Sequence, residues 1–158
     1  MKKLLLIAFM ISHATVLHAS DAILKNVFSA LMSNDTALIN SGLKTVSELS
    51  LSEKNACTGA LLMKKAGLVT QPAEKLRLFK QGRHFLEEEI KSHPDKTLYR
   101  YLRLMIQENS PAMLGYKKNM QEDAALVRKH FKKLSAAVRE SISDYAAQSH
   151  ILKPSDLE

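Results

Sequence analysis

One cysteine, no tryptophan, five glycines and four prolines are spread over 158 residues. A lone cysteine excludes an intramolecular disulfide. Glycine and proline are too sparse, and alternating β-branched runs too few, for the turn-rich pattern of a sandwich or barrel. C-x-x-C pairs, an H-E-x-x-H arrangement and a glycine-rich phosphate loop are all missing, which removes the common zinc, redox and nucleotide signatures. Hydrophobic residues make up 46% and charged residues 25%, so neither disorder nor a polytopic membrane protein fits. The length suits one domain, able to bury a core without disulfides or a structural metal.

The N-terminus predicts export. Lys2 and Lys3 form a positive region, Leu4 to Ile11 are an unbroken apolar run, and small residues lead up to Ser20. Leu4 to Ala19 is shorter than the roughly 20 apolar residues that span a bilayer, and it contains His13 and His18. Residues 1–19 therefore read as a signal peptide cut after Leu17-His18-Ala19, although Ser12-His13-Ala14 also has small residues at both required positions. No cysteine follows the apolar run, so a lipoprotein anchor is unsupported, and the expected location is periplasmic or secreted. In that setting Cys57 reads as a small buried apolar side chain. Removing two lysines with the signal leaves 21 basic and 16 acidic residues, a net charge of +5 in place of +7. That excess favours solubility and attraction to anionic surfaces; it does not specify nucleic acid, and no nucleic-acid partner is expected.

After residue 20 the apolar repeat is close to 3.6 throughout. Ser20 or Asp21 caps a helix to about Ser33 that carries Ile23, Val27, Ala30 and Leu31 on one side. A second helix from Thr36 to about Leu49 turns Leu38, Leu43, Val46 and Leu49 inward. Ser50-Leu51-Ser52-Glu53 matches a capping box. The helix behind it has a stripe of Ala56, Gly59 and Ala60 that lets a neighbouring backbone come close. Gly67 ends this helix and Pro72 opens the next. From Pro72 to about Ser92, Leu76, Phe79, Leu86 and Ile90 cluster, and Gly82, Leu78 and Phe85 widen the apolar arc to half the circumference, which calls for partners on two sides. Pro94 breaks the chain and Asp95 caps a helix whose buried face is Leu98, Tyr101, Leu102, Met105 and Ile106. Ser110-Pro111 starts a short turn stopped by Gly115. Met120, Ala124, Val127, Phe131 and Leu134 continue into Val138, Ile142 and Tyr145, as two antiparallel helices or one long one. Pro154 ends regular structure. The expected organisation is a single helical domain over 20–152 with a tail over 153–158.

Gly82, Leu86 and Pro94 resemble the second-helix signature of tetratricopeptide repeats, and Tyr101 resembles the aromatic that opens the next repeat. The resemblance covers residues 50 to 108 and departs from the family at Ala66, Val69 and Thr70 in the first helix and at Glu89, where the family has alanine. Pro94 to Tyr116 is also similar to small exported helical bacterial proteins of no established activity. These resemblances imply stacked helical hairpins without catalytic residues. The expected fold is all-α, a stack of about six to eight antiparallel helices arranged as TPR-like hairpins or an irregular bundle.

Candidate binding residues fall in two places. Arg100, Arg103 and Gln107 share one side of a helix opposite Leu98, and guanidinium forks bind carboxylate or phosphate bidentately. Tyr116 lies in the turn that follows. The competing explanation is a solvated helix back, or structural pairing with Glu108 or another nearby acid. Lys129, Lys132 and Lys133 form a basic face suited to anionic lipid or an acidic partner, with a solvated bundle face as the alternative. His84, His93, His130 and His150 include no i, i+4 pair for zinc, and consecutive Glu87, Glu88 and Glu89 spread around their helix. Neither a metal, a cofactor nor an enzymatic activity is expected. The function expected is a protein- or peptide-binding scaffold of the cell envelope; the alternative is a peripheral binder of anionic envelope lipids or polymers.

Overall fold

The computed structural model describes residues 20–158, and the signal-peptide expectation for 1–19 lies outside them. The described residues form an all-helical bundle of seven α-helices joined by short turns. They are α1 (20–32), α2 (Thr36–Thr45), α3 (Leu51–Leu68), α4 (Pro72–Ser92), α5 (Thr97–Asn109), α6 (Met120–His130) and α7 (Ala136–Ala146). None of the described helices is long and apolar enough to cross a membrane.

The closest packing joins α3 to α4. Ser50 caps α3, its Oγ accepting from the Glu53 backbone N–H at 3.4 Å, and Pro72 occupies the first turn of α4. The two helices run antiparallel. Asn55 Nδ2 donates to Glu89 Oε1 at 2.9 Å near one end, and Gly59 faces Gly82 and Leu86 further along. A Cβ on Gly59 would lie 2.6 Å from the Gly82 carbonyl oxygen, and one on Gly82 would lie 2.5 Å from that of Gly59. The two glycines that sequence places on separate stripes therefore meet each other. Glu89, the departure from the tetratricopeptide pattern, has a polar partner across this contact.

α5 is the centre of the bundle. Tyr101, Leu102 and Leu104 are fully buried, and burial extends to Tyr99, Arg103 and Gln107 on the side expected to face water. Antiparallel α6 packs on one flank, tied by Thr97 to His130 and by Arg103 to Asp123. Across another flank Tyr101 Oη lies 2.9 Å from the Ser141 carbonyl on α7, and the Tyr101 ring meets Phe28 and Tyr145 with centroids 5.6 and 5.8 Å away.

Several local expectations are corrected. Leu38 is 43% exposed, and the buried face of α2 runs through Ile39 and Gly42. The glycine sets this register: a Cβ there would sit 3.3 Å from Leu61 and 3.6 Å from Ala30, so α2 turns its smallest residue to α1 and α3. Leu76 is 48% exposed because the partners of α4 cover only part of its wide apolar arc. Gly67 does not stop α3, which continues to Leu68. Lys96, not Asp95, is the residue preceding α5, without a side-chain cap. α6 and α7 are separate helices, divided by a 3-10 turn at Phe131–Lys133. Pro154 begins a 3-10 turn, Pro154–Leu157, that Arg128 ties down through Asp156 at 2.9 Å.

The glycine contact yields a paired expectation. Gly59→Ala forces two backbones apart and is expected to lower unfolding free energy by about 1–3 kcal/mol, despite alanine's better helix propensity. Gly67→Ala meets no atom within 4 Å and is expected to raise it by about 0.5–1 kcal/mol. Urea titration followed by circular dichroism measures both; equal effects of the two substitutions would refute the packing argument.

Candidate functional site

The arginines expected to face a ligand are consumed inside the protein. Arg103 is 4% exposed. Its Nε and Nη2 donate to the two carboxylate oxygens of Asp123, each at 2.7 Å, and Nη1 donates to Glu87 Oε2 at 2.9 Å. Asp123 is wholly buried and also accepts from Arg100 Nη1 at 3.1 Å. Arg100 reaches Glu122 Oε1 at 3.0 Å and donates through Nε to the Pro94 carbonyl at 2.9 Å. Burial works against a charge on Arg103, but hydrogen bonding and Coulombic attraction to Asp123 and Glu87 outweigh it and raise its pKa. Arg100 and Arg103 thus form a charged clasp between α4, α5 and α6.

Gln107 and Tyr116 do line a cavity. It lies between α4 and the segment joining α5 to α6 and has a volume of about 440 Å³. Tyr116 is buried, with its hydroxyl donating to Glu87 Oε1 at 2.6 Å; burial, then Glu87, push its phenol well above the usual range. Gly115 supplies the left-handed turn before it, at φ 60°. Gln107 is 1% exposed and its Oε1 has no hydrogen-bond partner among the described residues.

A larger groove of about 800 Å³ opens where the C-terminal end of α1, the α3–α4 turn and the end of α5 meet. Met63, Phe79, Met105 and Ile106 contribute to its walls, together with Leu76 and Met113. Met113 is 92% exposed. Lys64 and Lys75 stand at the groove. Lys64 donates to Asn34 Oδ1 at 3.1 Å, and partial burial lowers its pKa. Neither lysine has a carboxylate partner among the described residues.

Glu108, weighed from sequence as an internal partner for the arginines, is directed elsewhere. It accepts from Tyr145 Oη, from Ser149 Oγ at 2.7 Å and from the His150 backbone N–H. The basic face is divided. Lys129, Lys132 and Lys133 are exposed and form no ion pair among the described residues, while Arg128 binds Asp156 and the Ile151 carbonyl. His130 Nδ1 meets Thr97 Oγ1 at 2.9 Å. Cys57 is fully buried, and burial first, then Glu53, push its thiol up to about 12, so thiolate chemistry at neutral pH is strongly disfavoured. No group of three or more potential metal ligands occurs among the described residues.

Sequence reasoning did not identify the groove, the role of Asp123 or that of Glu108. Asp123 had a readable signal. It lies four residues before Val127 on the inward stripe of α6, and a carboxylate on such a stripe needs a buried cation. The groove had none, because it is assembled from five separate segments.

Glu108 makes stability depend on pH. Burial pushes its carboxyl up, but the bonds from Tyr145, Ser149 and His150 overcome that and hold it below its ordinary value of 4.5. Its stabilisation is therefore present above about pH 4.5 and is lost as pH falls through the depressed value. Glu108→Gln is expected to destabilise the protein at pH 7 by about 1–2 kcal/mol. Its melting temperature should approach that of the unaltered protein as pH falls below 4.5, and a difference that stays as large throughout acidification as at pH 7 would contradict this assignment.

The chain matches no protein-family model, no curated protein and no solved structure.

Proposed function

We propose that the protein is a non-enzymatic binding scaffold of the cell envelope whose groove receives an amphipathic segment of a partner protein. The observation that carries this reading is the apolar groove of about 800 Å³ with Leu76 and Met113 open to solvent. Large side chains left uncovered around a concavity are unusual on a surface with no partner. Lys64 and Lys75 at the groove favour acidic residues flanking the apolar anchors of that segment. Stacked antiparallel hairpins in the tetratricopeptide manner, with α3 and α4 as one hairpin, are the architecture that suits such a task.

A photo-crosslinking amino acid at Leu76 or Met113, introduced in cells, is expected to capture one discrete partner in the envelope fraction. The same group at exposed Arg139 is expected to capture none. Leu76→Glu should reduce the adduct formed from position 113 by about tenfold. Equal capture from all three positions, or none from 76 and 113, refutes the groove.

The exposed and unpaired Lys129, Lys132 and Lys133 favour a second reading, contact with anionic lipid. Under it the protein co-sediments with vesicles of phosphatidylglycerol and not with neutral vesicles. Changing the three lysines to glutamate should abolish sedimentation, as should raised salt. Sedimentation that ignores both changes rules this reading out.

A further inference from the structure

The smaller cavity, further along α4 than the groove, has the composition of a ligand site. Its walls combine two properties. The first is unpaired positive charge. Lys80, Arg83 and Lys118 line it and form no ion pair among the described residues, whereas Arg77, one turn earlier on α4, is paired with Glu74. Glu87 offers these cations little, because its two oxygens already accept from Tyr116 and Arg103. Only Glu88 remains as an unengaged acid on the wall. Arg83 is also placed: its guanidinium carbon stands 5.1 Å from the centroid of the Tyr116 ring. Such stacking orients the planar fork and leaves its edge free for an oxyanion.

The second property is an unanswered acceptor. Gln107 lines the same cavity at 1% exposure, and its Oε1 has no donor among the described residues. No other fully buried side-chain nitrogen or oxygen among the described residues lacks a partner, and all three donating nitrogens of Arg103 are engaged. Buried acceptors are almost always paired, and an exception marks a place where a ligand or water supplies the donor. The volume of about 440 Å³ suits a metabolite, not a polymer.

We propose that this cavity binds a small hydroxy acid, its phosphate or carboxylate held by Lys80, Arg83 and Lys118 and its hydroxyl donating to Gln107 Oε1. Sources carrying either acid group share this chemistry, and calorimetric titration of the purified protein separates them. The probes are glycerol 3-phosphate, glycerate, inorganic phosphate and glycerol, each at low salt. Glycerol 3-phosphate or glycerate is expected to bind, and to bind about tenfold more tightly than inorganic phosphate or glycerol, since both halves of the site are then engaged. Preference for the first assigns a phosphate ligand, preference for the second a carboxylate.

Two substitutions keep the test specific. Arg83→Ala, at an exposed position, should weaken the hydroxy acid by at least about tenfold. Gln107→Leu should remove its advantage over inorganic phosphate while leaving phosphate affinity unchanged; a raised melting temperature in this variant would show that it folds. The proposal is overturned if neither hydroxy acid binds at about 10 mM, a concentration that reaches even weak complexes. It is also overturned if inorganic phosphate binds as well as glycerol 3-phosphate and Arg83→Ala changes neither, the result for an adventitious ion only.

Discussion

The close approach of Gly59 to Gly82 is the constraint on which the arrangement of the bundle depends. Any side chain at either position would put a Cβ within 2.6 Å of the opposing carbonyl oxygen. Glycine in a helix interior sacrifices about 1 kcal/mol of intrinsic propensity. Here that loss is offset by dispersion along the length of two long helices brought closer than alanine permits. Leu86 packs directly against Gly59, and Met63 against Gly82. With α4 held so tightly on α3, the two share one thick wall against which α5 lies. The apolar arc of α4 is wider than this wall and α5 can cover, and the remainder, headed by Leu76, borders the groove.

On the other side of α5 the organising force is electrostatic. Asp123 and Arg103 are both buried, and an isolated charge there would be untenable. Their bidentate pairing, extended by Glu87, Arg100 and Glu122, fixes the register of α6 on α5 and ties both to α4. Buried pairs of this kind add little net stability over an apolar pair, and their directional bonds select one geometry. The same clasp immobilises Glu87 and Tyr116, which gives the smaller cavity a rigid wall. Glu108 does comparable work at the far end of α5, holding α7 and the residues after it.

Helix positions were largely legible because each described segment carries a 3.6-residue pattern bounded by Ser50, Pro72, Pro94 or Gly115. The small-residue stripe at Ala56, Gly59 and Ala60 also foretold a close helical neighbour. What sequence could not convey was which helix would lie at the centre. Periodicity marks a preferred face, but α5 is enclosed on nearly all sides, so Arg103 and Gln107 looked like a solvent-facing back. Leu38 and Leu76 failed for the opposite reason: an apolar residue at helical spacing is buried only if a neighbour extends that far. Of the candidate site residues, Arg100 and Arg103 proved internal ties, Gln107 and Tyr116 came together at a cavity, and Lys129, Lys132 and Lys133 stayed on the surface. The groove depends on contacts among five segments and has no one-dimensional signature.

The central claim is that tight α3–α4 packing leaves the Leu76 edge as a docking surface for an amphipathic acidic segment. Amide chemical-shift mapping tests it most directly, using a designed helical peptide with a leucine face flanked by glutamates. The account predicts saturable shifts confined to residues 31–34, 63–68, 72–79, 105–114 and 145–150, the segments that enclose the groove. Shifts centred on α6 and the basic turn after it, or none that saturate, would contradict it.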